Sequence, residues 1–146
     1  MPISHTEIDD DFDAFVDCRV AEIEQSIVDV LVKVGEQGYK TAIAHGSYQD
    51  RTGTLRSSIG FGVVKYGTLT KVGGFKHFRS GSSGAAIGKD KLDGLVAECG
   101  GDEICLIFVA GAEYATYVEA MGYDVITFSE IECYHNAENE INKLFR

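Results

Sequence analysis

Proline is all but missing from this 146-residue chain: the single one stands at position 2, which leaves every later helix and strand free of proline breaks. Long apolar runs are missing as well. No stretch approaches the ~18 apolar residues that a membrane span needs, and the N-terminus MPISHTEIDDDFD is acidic where a signal peptide is basic. The chain is therefore expected to stay in the cytoplasm of the cell that makes it. Positive charge is scarce, 13 Lys+Arg against 23 Asp+Glu for a net charge of -10, which argues against a free-standing DNA-binding protein because cations that neutralise phosphates dominate nucleic-acid affinity.

Spaced pairs of metal-ligating or nucleophilic residues are also wanting. Cys18, Cys99, Cys105 and Cys133, with His5, His45, His77 and His135, form no Cys-x-x-Cys or His-x-x-x-His pair, so a zinc site would have to be assembled wholly by the fold. Without an export signal the four cysteines read as reduced, largely buried thiols rather than a disulfide framework. No serine stands in a Gly-x-Ser-x-Gly elbow and no carboxylate pair is marked out. Gly84-Ala-Ala-Ile-Gly88-Lys89-Asp90 resembles a phosphate-binding loop, but that loop needs glycine where Ser83 stands and a magnesium-binding hydroxyl where Asp90 stands. No catalytic residue, cofactor site or metal site is expected. Glu119 is the carboxylate to watch, although a polar-face or ion-paired role outweighs a catalytic one.

What is present begins with a helix signal. Ser4-x-x-Glu7 makes a capping box, and Glu7, Asp9, Asp10, Asp11 and Asp13 crowd the first turns, where the helix dipole favours acids. Phe12, Val16, Val20, Ile23, Ile27, Val30 and Val34 then repeat at spacings of four and three, a stripe for burial. A thinner stripe of Ala14, Ala21, Val28 and Val32 lies about 120° round the wheel. It is available either to a neighbouring copy or to a deeper seat in the chain's own core. A helix from about residue 6 to about 45 would be roughly 60 Å long, against a diameter of about 40 Å for a domain of this size. It must bend or stick out, and Gly35 and Gly38 are the expected place for a kink or break.

Residues 46–53 read as a polar loop. Ile59, Phe61 and Val63 alternate with Gly60 and Gly62, a strand in which glycine suggests a bend or close backbone approach. Nine glycines run from 67 to 101, and between Lys65 and Lys91 lie the basic residues Lys65, Lys71, Lys76, Arg79, Lys89 and Lys91, opposed only by Asp90. That is a local +5 on a remainder of -15, read as a basic arm: a glycine-rich loop or a β-ribbon turning at Gly73-Gly74, with a helical turn or two over 89–99. Ile104 to Val109 is an apolar β-rich run, read as a buried strand between two covered faces. A short helix carrying Tyr114, Tyr117, Val118 and Met121 follows, ending at Gly122, then a strand through Tyr123, Val125, Ile126 and Phe128. Ser129 with Glu132 forms a capping box for a last helix, 129–145, with Ile131, Tyr134, Ile141, Leu144 and Phe145 inward.

The fold class expected is a single α+β domain, 1–146, with the arm 67–101 inserted between strands. A long N-terminal helix and two shorter helices pack on a small, mainly antiparallel sheet.

Two segments carry a resemblance. Tyr114-Ala115-x-Tyr117-Val118-Glu119-x-x-Gly122 and Thr52-Gly53-Thr54-Leu55-Arg56-Ser57-Ser58-Ile59 resemble the "YAxYVE…G" and "TGxLRxSI" signatures of the neck, or tail-completion, proteins of long-tailed bacteriophages, the gene-product-ten-like morphogenesis family of the lambdoid phages. In the second, Gly53 permits a tight turn, Leu55 and Ile59 can face the core, and Arg56 either binds a carboxylate or lies exposed. Family members commonly carry "PFLxPA" after the strand. Here Phe128-Ser129-Glu130-Ile131 stands there without proline, which bears on the orientation of the last helix. The resemblance implies a non-enzymatic virion protein that forms a homo-oligomeric ring between portal or adaptor and tail tube, with DNA passing through unread. Its partners would be other copies of itself and the neighbouring rings. Ala14, Ala21, Val28 and Val32 are the candidate oligomer face. Lys71, Lys76, Arg79, Lys89 and Lys91 are the candidate partner-binding set, facing either protein or DNA. The alternative is an acidic DNA-mimic or inhibitor that occupies a partner's basic groove.

Overall fold

The computed structural model describes residues 5–45, 53–78, 82–111 and 126–145. Its elements are α1 His5–His45, α2 Thr54–Ser57, β1 Ile59–Lys65, β2 Thr68–Gly74, α3 Ser82–Val96, β3 Ile104–Ala110 and α4 Thr127–Leu144. The fold is α+β, with a long N-terminal helix and an antiparallel three-stranded sheet in the order β2-β1-β3.

The sheet is covered on both faces, and β1 is its centre. Phe61 and Val63 point toward α1, where Val63 packs with Val28 and Leu31. Gly60 and Gly62 face the other way, and their bare backbone admits the Phe75 ring and the Leu92 side chain. Strand β1 is buried from Ile59 to Val64. The run Ile104 to Val109 does form a strand, but β3 flanks β1 and only its last two residues are buried. The doubly covered strand is the glycine-bearing one, because a sheet residue without a side chain invites the opposing layer closer.

Helix α1 runs unbroken through Gly35 and Gly38, where a kink or break was expected. Both glycines are notches for neighbours. A Cβ on Gly35 would collide with the Phe61 ring, and one on Gly38 with the Cys133 sulfur. The propensity cost of glycine, about 1 kcal/mol each, is offset by close contact with the sheet and with α4.

A further expectation is corrected. Segment 67–101 is not an arm: Tyr66 and Gly67 make a two-residue turn with φ 51° and 80°, the geometry of a type I′ hairpin. Strand β2 then pairs along β1 from Lys65–Thr68 to Gly60–Gly74. Helix α3 follows and packs Ala85 and Leu92 against Val109 and Phe75. The phosphate-loop look-alike lies within α3, where Gly84 meets the Thr54 carbonyl and Gly88 the Ser58 carbonyl, so its glycines serve helix packing.

The last helix starts at Thr127, with Ile126 at the cap. Residues 127 and 128 are thus helical, and Ser129 is a buried first-turn residue whose hydroxyl has no hydrogen-bond partner, not a capping residue. Cys133 is buried, and Ala137 and Ile141 pack against the core that Val28 and Leu31 share with Val63. Ile131 and Tyr134 are exposed, as are Leu144 and Phe145. Of the residues expected inward only Ile141 is so placed; the position against Gly38 is Cys133.

Candidate oligomer interface

The TGxLRxSI segment is described from Gly53 onward; Thr52 lies outside the described residues. Gly53 has φ 78°, and a Cβ on it would strike the Phe78 carbonyl, so glycine is required twice over. Leu55 and Ile59 are fully buried, as expected. Half-buried Arg56 sits in the single turn of α2. The two serines between them tie three segments together. Ser57 Oγ accepts the Phe78 amide at 2.8 Å, Ser58 Oγ donates to the Leu55 carbonyl at 2.6 Å, and the Gly111 amide donates to the Ser58 carbonyl at 3.1 Å. Tyr114, Tyr117, Val118, Glu119 and Gly122 lie outside the described residues, as does Arg79.

The thin stripe divides. Ala14 and Ala21 are exposed, but Val28 is only 4% exposed and packs with Leu31 and Val63, with Val32 against the same cluster. Val28 and Val32 thus belong to the protein's own core, which corrects their assignment to an oligomer face.

The main stripe supplies the face instead. Helix α4 runs antiparallel along α1, from Cys133 beside Val34 and Gly38, through the Glu140–Lys33 contact at 4.0 Å, to Leu144 and Phe145 beside Ile23. Its Ala137 and Ile141 share one cluster with Ile27, and it ends beside Ile23. Beyond it, residues 10–23 are exposed on every side, about 21 Å of helix at 1.5 Å per residue. Phe12 and Phe15 are 65% and 64% exposed, with Val16, Val20 and Ile23 beside them. Phe15 was not in the expected stripe, although it lies one turn from Phe12 and widens the same face. Where α4 ends, Arg19, Glu22, Ile23, Ser26, Leu144 and Phe145 line a hollow of about 250 Å³.

Acids surround the projecting stripe. Residues 5–24 contain eight Asp and Glu against Arg19 alone, a net -7. At the helix's root Glu24 accepts a hydrogen bond from the Tyr66 hydroxyl and pairs with Lys65 at 3.2 Å. The Tyr66 bond, then Lys65, holds the Glu24 carboxyl below its usual range, and the same bond pushes the Tyr66 phenol up. This contact fixes the hairpin turn to α1.

The basic residues lie elsewhere. Lys71, Lys76, Lys89 and Lys91 are exposed, and among the described residues none of the four has an ion-pair partner. Lys76 sits 5.9 Å over the Tyr39 ring. Together with Glu36, Lys40, Phe61, Gly73 and Gly74 these two line a cleft of about 170 Å³ between the C-terminal half of α1 and the edge of β2. Burial pushes the Tyr39 phenol up.

A scan against protein-family models gives no match, and neither the curated proteins nor the solved structures contain a match to the chain. Among the described residues no cluster of three or more His, Cys, Asp or Glu could hold a metal ion. No helix among them is long and apolar enough to cross a membrane. All four cysteines are free thiols, but Cys18 is exposed, Cys99 and Cys105 are half-buried and Cys133 alone is buried, so they are not largely buried as expected. Desolvation, then Cys99 and Glu103, raises the Cys105 thiol to about 12; desolvation, then Glu132 and Glu130, raises Cys133 to about 11.

Proposed function

We propose that this chain is a structural, non-enzymatic protein that assembles into a homo-oligomeric ring at the head-tail junction of a long-tailed bacteriophage, between portal or adaptor and tail tube. One observation carries the assembly half of this reading: α1 outruns its own domain with an uncovered apolar stripe, Phe12 to Ile23. Exposed apolar surface of this kind marks an interface. The two sequence signatures supply the phage half, and Gly53, Leu55 and Ile59 stand where a tightly turned structural motif needs them. An acidic body suits a channel wall, since like charge keeps phosphates from sticking during DNA passage.

The same acidic tip favours a second reading, a DNA mimic that occupies a basic groove of another protein. Electron microscopy of the purified chain separates the two. The ring reading expects closed annuli with an opening wide enough for duplex DNA. Single particles of one-chain size that bind a basic partner would replace it with mimicry.

A further inference from the structure

We propose that the acidic tip of α1 in one copy docks into the Tyr39–Lys76 cleft of the next copy, head to tail. This presupposes the homo-oligomer proposed above and names its contact. The tip offers Phe12 and Phe15, and at 100° per residue Asp13 and Asp17 border that stripe on one side. The cleft offers the complement: an apolar floor of Phe61 and the bare backbone of Gly73 and Gly74, a wall of Tyr39, and a rim of Lys40 and Lys76 against the single acid Glu36. Lys71 pairs across from Val63 and so lies on the same face of the sheet.

Other seats fit less well. Tip against tip would oppose two segments of net -7, and like charges brought together cost several kcal/mol. The groove between β3 and α4 is apolar, lined by Leu106, Phe108 and Tyr134, but its charged residue is Glu130. A chain cannot serve its own cleft either. Phe15 and Tyr39 lie 24 positions apart on one unbroken helix, about 36 Å at 1.5 Å per residue. Tip and cleft can therefore meet only between copies, and a contact between two different patches propagates around a ring when its rotation closes.

The test is sedimentation velocity of the full chain over a concentration series, with circular dichroism as the control for folding. Asp13→Lys with Asp17→Lys, and separately Lys40→Glu with Lys76→Glu, should each weaken assembly at least about tenfold. All four together restore the charge pairing at the net charge of the natural chain, and assembly should recover to within about threefold. Native-like folding with no loss in the cleft variant, or no recovery in the fourfold variant, overturns this contact while leaving ring assembly standing. A natural chain that stays monomeric throughout overturns both. Should a variant misfold, the natural chain decides: assembly should weaken between about 50 and 500 mM salt as screening grows, and assembly indifferent to salt overturns the contact.

Discussion

Replacing Phe12 and Phe15 by alanine separates folding from assembly, because the two rings touch solvent in the free chain. An aromatic side chain buries about 200 Å², and each ring is about two-thirds exposed. Covering the exposed part in an assembly would contribute about 3 kcal/mol per ring at ~25 cal/mol per Å². Losing one ring should therefore weaken association by about two orders of magnitude. Monomer stability should change by no more than ~0.5 kcal/mol, as for a surface substitution. Sedimentation over a dilution series reads the loss of association, and urea unfolding followed by dichroism reads the monomer stability. Val28→Asp is the contrast. It buries a carboxylate at a site 4% exposed and should cost more than ~4 kcal/mol, enough to unfold the chain. If the phenylalanine pair unfolds the monomer, or assembly is unaffected, the exposed stripe is not an assembly surface.

Gly38→Val should destabilise the fold by about 1–3 kcal/mol through overpacking against Cys133, read as a shift in the urea midpoint with unchanged slope; an unchanged midpoint would mean that α1 and α4 are not in close contact. The Glu24–Tyr66 anchor should set a pH window. Glu24 is held below its ordinary value, so its contribution is present above about pH 4.5 and lost as pH falls through the lowered value. Tyr66 is raised, so its contribution is present below about pH 10 and lost as pH rises through the raised value. Amide exchange around the turn at Tyr66 and Gly67 should quicken at both limits; Tyr66→Phe should remove the alkaline limit, and an alkaline limit that persists refutes the linkage.

Much of the frame was legible from residue patterns. The period of α1, the apolar run of β3 and the Gly-x-Leu-x-x-x-Ile spacing that buries Leu55 and Ile59 all appear where expected. Periodicity says that a helix face needs cover; it does not say what covers it. The same stripe is therefore own core at Val34 and solvent-exposed at Phe12. Glycine misled twice for one reason. At Gly35 and Gly38, and again at Gly84 and Gly88, low helix propensity pointed to a break or a loop, whereas each glycine admits a neighbouring element at close range. Local propensity yields to tertiary packing there. Of the large residues expected inward on α4 only Ile141 packs against the core; the rest of that face was missed because large residues drew the assignment, while the position pressed on Gly38 is the smaller Cys133. Lys40 carried no signal, since a lysine on a helix is ordinarily a solvated one and only the edge of β2 makes it part of a cleft.

The central claim is self-assembly through the projecting helix, and native mass spectrometry of the purified chain tests it most directly. The predicted spectrum is dominated by one closed species at an integer multiple, above two, of the 15.9 kDa chain mass, which Phe12→Ala with Phe15→Ala reduces to single chains. A spectrum of single chains from the natural sequence at tens of micromolar would contradict it.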